Sequence, residues 1–107
     1  MKKVVLNTPI LGFNGEPLKV WNNPEANLTF AGIILDKIGN GRLPAAEIEG
    51  AYSLLKKVNE ANSNPDPIVL TLTDQEFALI ETHAISTETV LIYGRFGDMV
   101  AEQNATA

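Results

Sequence analysis

Residues 44–58, PAAEIEGAYSLLKKV, hold the clearest secondary-structure signal in the chain. Apolar side chains recur there at spacings of three and four, which is the pattern of an amphipathic helix. They are Ile48, Ala51, Tyr52, Leu55 and Val58. Pro44 suits the first helical position, since the N–H that proline lacks would have no partner there. The stretch therefore predicts an α-helix whose apolar stripe faces a core, ended by the polar, proline-rich residues 62–67.

A second helix signal lies downstream, at Thr73 and Glu76. In this spacing each side chain can bond the backbone N–H of the other, which is the capping box of a helix N-terminus. The pattern predicts a helix that runs to about His83 or Ala84, with Phe77 and Ile80 facing inward. The apolar segment Ile68–Leu72 before it predicts a short strand or an extended approach to the helix.

Two further helices are expected. The first covers about Leu28 to Ile38, capped by Asn27 or Thr29. The last covers about Thr89 to Gln103. Its start, Thr89 to Tyr93, also has strand propensity, and Gly94 and Gly97 each cost about 1 kcal/mol inside a helix. A helix is favoured because a strand would leave Phe96 to Val100 without a place, and the two glycines are then expected to permit close packing against a neighbour.

The N-terminal region has the features of a small hairpin. Lys2–Asn7 is short and β-branched, Asn14-Gly15 suits a tight turn, and Pro17–Trp21 can return as a strand until Asn22-Asn23-Pro24 breaks it. The predicted fold class is therefore α+β: a small N-terminal β-hairpin with a third short strand, packed on about four α-helices. We expect one domain, residues 1–107.

Composition narrows the possible functions. The chain has 107 residues, 45% of them hydrophobic, with a net charge of −5, no cysteine and one histidine. These values exclude a disulfide scaffold, a cysteine metal site and a thiol nucleophile. They disfavour a nucleic-acid partner, which usually meets a basic face. No apolar run approaches the roughly 20 residues of a membrane span, so we expect an intracellular protein without a membrane partner.

The sequence contains no group of residues that clearly indicates a catalytic or metal site. A general base at His83 would need a carboxylate partner, but Glu81 is two positions away and Glu76 about two turns back along the helix. The acidic residues lack the alternation of a calcium loop, and those at 74 and 76 suit a helix N-terminus. We therefore predict a protein that is not an enzyme and that has no cofactor or metal.

Candidate interface residues come from the aromatic and cationic side chains. Trp21 and Phe13 lie beside polar turns, and an aromatic side chain left exposed there would anchor a protein partner. Arg95 is the cation of the last helix, among Glu88, Asp98 and Glu102. That acidic balance argues against a DNA-reading helix-turn-helix. The candidate interface is therefore Trp21, Phe13 and Arg95.

The order of these elements resembles a family of short proteins encoded by tailed phages and prophages. The similar segments are Val4–Asn7, Gly15–Lys19, the helix start near Leu28, Tyr52–Val58 and Ile68–Ile80. The resemblance implies a phage origin and a non-enzymatic role, but it does not say which role. Our leading hypothesis is an interaction protein that acts in the host cytoplasm by binding a host or defence protein. The alternative it leaves open is a virion structural or assembly component that self-associates. No catalytic residue is carried over.

Overall fold

The helix predicted from residues 44–58 is present, but its buried side differs from the expected stripe. The computed structural model describes residues 1–20 and 23–105. Helix α2 spans Ala45–Asn62, with Pro44 at its N-cap. Leu54 and Val58 are fully buried, whereas Ile48 and Tyr52 are 54% and 62% exposed. The predicted stripe is therefore wrong at Ile48 and Tyr52, because the neighbouring helix covers the side that carries Leu54.

That neighbour is helix α1, Phe30–Gly39. Thr29 caps it, with its hydroxyl oxygen accepting the N–H of Gly32 at 3.0 Å. Of the two predicted caps, the structure therefore uses Thr29. Four large apolar side chains of α1 are buried: Phe30, Ile33, Ile34 and Ile38. Helices α1 and α2 pack against each other and form one side of the core.

The capping box predicted at Thr73 is confirmed at the start of helix α3, Asp74–Ile80. The Thr73 hydroxyl accepts the N–H of Glu76 at 3.1 Å, and the Glu76 carboxylate accepts the N–H of Thr73 at 2.9 Å. After Ile80 the chain continues as a π-helical segment, Glu81–Ile85. The N–H of Ser86 donates to Glu81 O at 3.0 Å, a bond to the fifth residue back that is typical of a π-helix.

Helix α4 spans Val90–Asn104 and is capped by Thr89. The predicted last helix is therefore confirmed, although its first residues also have strand propensity. It buries Ile92 and Phe96, and leaves Val90 and Tyr93 88% and 56% exposed. The ring centroids of Phe96 and Phe30 lie 5.3 Å apart in a T-shaped arrangement, and those of Phe96 and Phe77 lie 5.9 Å apart with the rings stacked. Aromatic contacts of this kind therefore join α4 to α1 and α3.

The strands pair differently from the predicted hairpin. Strand β1, Lys2–Val5, pairs antiparallel with β4, Val69–Leu72, and β2, Lys19–Val20, pairs with β3, Asn23–Asn27. The expected pairing of the first strand with residues 17–21 is therefore wrong, and residues 23 and 24 begin a strand where a break was expected. The physical reason is burial, since β1 carries Val4 into the core beside Leu72 and both are fully buried.

Polar side chains hold the β1–β4 pair in place. Asn7 accepts the N–H of Ile68 at 3.1 Å and donates to the backbone oxygen of Asp66 at 2.7 Å. The four helices and the two small antiparallel sheets of the described residues give the predicted α+β class. Their shared cluster of buried side chains includes Val4, Leu6, Ile34, Leu54, Leu72, Ile80 and Phe96.

The side of α2 that faces the core can be tested with adjacent leucines. Leu54→Ala should lower the free energy of unfolding by about 2–5 kcal/mol, because it removes a fully buried side chain. Leu55→Ala should cost clearly less, because Leu55 is half-buried at the edge of the core. Chemical denaturation of both variants checks this, and an equal or larger loss at Leu55 would contradict the observed burial.

Glu76 should make stability depend on pH. Burial opposes its ionisation, but the backbone N–H of Thr73 and the ammonium of Lys57 outweigh burial, so the pKa of Glu76 lies below its ordinary 4.5. Because this pKa is lower in the folded than in the unfolded state, ionised Glu76 stabilises the fold above pH 4.5. That stabilisation is lost as the pH falls through the pKa of the folded state. Glu76→Gln should therefore destabilise at neutral pH, with the difference from wild type shrinking below pH 4.5 in urea titrations. A difference that is independent of pH would contradict this.

Candidate functional site

The loop of residues 11–17, here called the Phe13 loop, forms a closed turn. Leu11 and Pro17 make an isolated antiparallel bridge at its base. The N–H of Gly12 donates to Glu16 O at 2.8 Å, and the N–H of Gly15 donates to Gly12 O at 3.0 Å. Gly15 has φ +82°, a conformation that glycine adopts without a steric cost. The tight turn predicted from Asn14-Gly15 is confirmed.

Phe13 lies at the tip of this loop and is 84% exposed. Burying a phenylalanine side chain is worth about 1.5–3 kcal/mol relative to leaving it in water, so such exposure is unfavourable for the free protein. In contrast, Phe30 at the start of α1 is 4% exposed and belongs to the core. Trp21, the remaining aromatic candidate, lies outside the described residues.

Arg95 reaches the loop from α4. Its Nε donates to the backbone oxygen of Leu11, and its Nη2 donates to that of Gly12, both at 3.0 Å. The rigid guanidinium fork thus holds two successive carbonyl groups directly before Phe13. The structure therefore brings two of the three predicted interface residues, Phe13 and Arg95, close together. The bond that does so joins Arg95 to Leu11, which lies 84 positions earlier in the sequence. Arg95 acts here as a positioning residue for the loop.

A groove runs beside the loop, between residues 8–11 and α4. It has a volume of about 370 Å³, and its apolar lining includes Leu11 and Met99. Asp98 and Glu102 also line it, four positions apart and therefore on one side of α4. Arg95 lines the groove together with these two carboxylates, so the charged side chains of the lining carry a net charge of −1.

A second apolar groove lies between α3 and α4, with a volume of about 300 Å³ and with Phe77, Tyr93 and Phe96 in its lining. Gly97 also lines it. No described atom outside the local helix backbone lies within 4 Å of a Cβ built at Gly94 or Gly97. The expected close packing of these glycines is therefore wrong, because α4 turns Ile92 and Phe96 to the core and the glycines toward solvent.

His83 has a carboxylate neighbour that the sequence did not reveal. Its Nε2 lies 3.4 Å from Oε2 of Glu47, with 29% and 39% of the two side chains exposed. The partner comes from α2, so helical spacing within the third helix could not find it. The adjoining cavity measures about 100 Å³, smaller than the roughly 300–1,000 Å³ of typical small-molecule sites. The pair is a surface contact between α2 and the π-helical segment.

The described residues contain neither a cluster of metal-binding side chains nor a helix that could cross a membrane. Within residues 1–20 and 23–105, no group of three or more His, Asp or Glu side chains is arranged to hold a metal ion. None of the helices in these ranges combines the length and the apolar character that crossing a membrane requires. The Phe13 loop and its groove are therefore the strongest candidate site in the described part of the chain.

The role of Arg95 in positioning the loop can be measured. Arg95→Ala removes both donors to the loop carbonyls, so hydrogen exchange at the Gly12 and Gly15 amides should accelerate, with a stability loss of about 1 kcal/mol. Asp98→Ala, one turn along the exposed side of α4, is the matched control and should leave these amides unchanged. Equal exchange rates in wild type and Arg95→Ala would show that the arginine does not hold the loop.

Comparison with known proteins found no relative of this chain. No protein-family model matches the chain, and no match was found among curated proteins or solved structures. The resemblance to short phage proteins therefore stays a prediction from the order of elements.

Proposed function

We propose that this is a phage-encoded, non-enzymatic interaction protein whose Phe13 loop binds a host or defence protein. The observation that carries the proposal is the 84% exposure of Phe13 on a loop that is bonded internally and to Arg95. Buried aromatic side chains dominate the energetics of many protein interfaces. The order of elements in the sequence resembles that of short phage proteins, and this resemblance is the basis for proposing a phage origin and, with it, a place of action in the host cytoplasm.

The hydrogen bonds that hold the Phe13 loop favour a binding role for Phe13 over incidental exposure of its side chain. Ordering a loop on binding costs free energy, and a loop already held in one conformation avoids much of that cost. The bonds at Gly12, Gly15 and Arg95 restrict the Phe13 loop before a partner arrives. The free energy gained by burying Phe13 is then available for affinity.

The groove beside the loop indicates the chemistry of the partner. Asp98 and Glu102 line it together with Arg95, so acidic side chains are in excess there. Complementary charge steers association and selects among partners. The partner expected from these features has an apolar pocket for Phe13 with lysine or arginine side chains beside it.

A second candidate function is that of a virion structural or assembly component that self-associates. The apolar groove of α3 and α4 favours it, since Phe77 and Tyr93 line that groove and Val90, on the same helix as Tyr93, is 88% exposed. Recovery of the protein in purified virions, together with a multimer in light scattering that Tyr93→Ser disrupts, would select this candidate over the first.

The leading proposal predicts that Phe13→Ala abolishes capture of the partner. Tagged wild-type protein should retain a stoichiometric protein from a lysate of the bacterium that carries the gene. Titration calorimetry with the purified partner should then show a loss of affinity of about 30-fold for Phe13→Ala, the effect of a 2 kcal/mol anchor.

Val90→Ala is the matched control, because Val90 is 88% exposed but lies on α4 and away from the loop bonds. It should bind like the wild type. Circular dichroism should show the same fold for both variants, since neither removes a buried side chain. A partner that binds wild type and Phe13→Ala equally would refute a role of the Phe13 loop in binding.

A further inference from the structure

The outer face of α2 exposes two large apolar side chains. Ala51, Leu54 and Val58 turn to the core, whereas Ile48 and Tyr52 on the opposite side are 54% and 62% exposed. Ile48 and Tyr52 lie four positions apart, about one turn of the helix, so their side chains are neighbours. Single exposed apolar residues are common on protein surfaces, but two adjacent large ones form a candidate interaction surface.

Two opposite charges flank Tyr52 on this face. Glu49 lies three positions before Tyr52 and Lys56 lies four positions after it, so the three side chains form one row along the helix. The Lys56 Nζ atom lies 4.6 Å from the centre of the Tyr52 ring, which places the ammonium on the exposed side of α2. We call Ile48, Glu49, Tyr52 and Lys56 the Tyr52 face.

The charges of the Tyr52 face are not used within the fold. Lys57, the next residue after Lys56, turns toward α3, where its ammonium binds the Glu76 carboxylate at 3.0 Å. Within residues 1–20 and 23–105, the salt bridges include neither Glu49 nor Lys56. Both charges are therefore available to another molecule.

The order of these charges makes the Tyr52 face complementary to itself. Tyr52 lies close to the midpoint between Glu49 and Lys56. When two α2 helices lie antiparallel about a two-fold axis beside Tyr52, Glu49 of each copy is therefore opposite Lys56 of the other. The two Tyr52 side chains meet near the axis, and every favourable pair occurs twice because the contact is isologous. A parallel pair would instead oppose like charges, which is unfavourable.

A second copy of this chain is the occupant that the pattern favours. Another protein would need an exposed helix with an apolar residue between an acidic and a basic one, at the same spacing. A second copy presents that pattern without any further requirement. Two-fold pairing also closes after two chains, so it gives a dimer and not a growing polymer.

We propose that the protein forms a two-fold dimer through the Tyr52 face, with its two α2 helices antiparallel. Helix α2 has 18 residues and is about 27 Å long. A contact one helix wide belongs to the small class of protein interfaces, so the dimer should be weak and form at micromolar concentrations. The dimer does not depend on the Phe13 loop, but it presents two such loops to a partner, which raises avidity.

Charge reversal tests the antiparallel pairing and changes only exposed side chains. Light scattering and sedimentation equilibrium of the full chain should show a monomer–dimer equilibrium over micromolar concentrations. Glu49→Lys and Lys56→Glu should each raise the dimer Kd about tenfold, because each variant places like charges opposite one another twice. The double variant, Glu49→Lys with Lys56→Glu, should dimerise as wild type, because it exchanges the two charges across the axis.

Mixing the two single variants gives the sharpest result. A dimer of one Glu49→Lys chain and one Lys56→Glu chain has opposite charges at both contacts. The mixture should therefore dimerise at least as well as wild type, although neither variant does so alone. Both variants keep a negative net charge, so general attraction between them does not explain such a result. A mixture that stays monomeric where wild type is dimeric would overturn the proposal.

Tyr52→Ser tests the apolar centre of the contact. It should raise the dimer Kd about 30-fold, because an aromatic side chain is lost from the middle of the interface in both copies. Tyr93→Ser is the matched control, since Tyr93 is 56% exposed on α4 and lies outside the Tyr52 face. It should dimerise as wild type, and so should Phe13→Ala, which separates this proposal from the one for the Phe13 loop.

Three results would contradict a dimer through the Tyr52 face. One is a wild-type chain that stays monomeric at all these concentrations, and another is a wild-type assembly larger than a dimer. The third is a dimer that Tyr93→Ser disrupts and Tyr52→Ser leaves intact, because the groove between α3 and α4 would then be the interface.

Discussion

The pairing of β1 with β4 is the constraint on which the rest of the structure depends. It joins residues 2–5 to residues 69–72, so the chain must close a long loop before either strand gains its partner. Burial of the Val4 and Leu72 side chains offsets the entropic cost of closing this loop. Hydrogen bonds from Asn7 to the backbone before β4 and from Asn104 to the backbone of β1 add to it. The chain that leaves β1 then passes beside α4, where the Arg95 guanidinium reaches the carbonyls of the Phe13 loop.

The proposed binding of a protein partner depends on this arrangement. The Phe13 loop offers an apolar anchor whose conformation is held in advance, so its affinity depends on the shape of a partner's pocket. Part of the acidic charge stabilises the fold and does not belong to this surface, since Glu76 binds Lys57 within the α3 cap and Glu88 pairs with Lys37 of α1. Net charge alone is therefore a poor guide to the partner.

The candidate site could be predicted only in part. Phe13 could be predicted because it lies beside the polar turn Asn14-Gly15, where an exposed aromatic side chain can anchor a partner. Arg95 was identified as a lone cation among acids, but its bonds to Leu11 and Gly12 come from a segment far away in sequence. The contact between His83 and Glu47 was missed for the same reason, since it crosses from the π-helical segment to α2. Spacing within one helix carries no information about such pairs.

The sequence by itself determined the local structure. Thr29, Thr73 and Thr89 begin their helices because a hydroxyl can satisfy a nearby free N–H, and Asn14-Gly15 makes its turn because glycine tolerates positive φ. Only the tertiary structure decided which side of α2 is buried and which strand β1 pairs with. Those choices depend on how much apolar surface each arrangement removes from water, and that quantity exists only once distant segments are packed together.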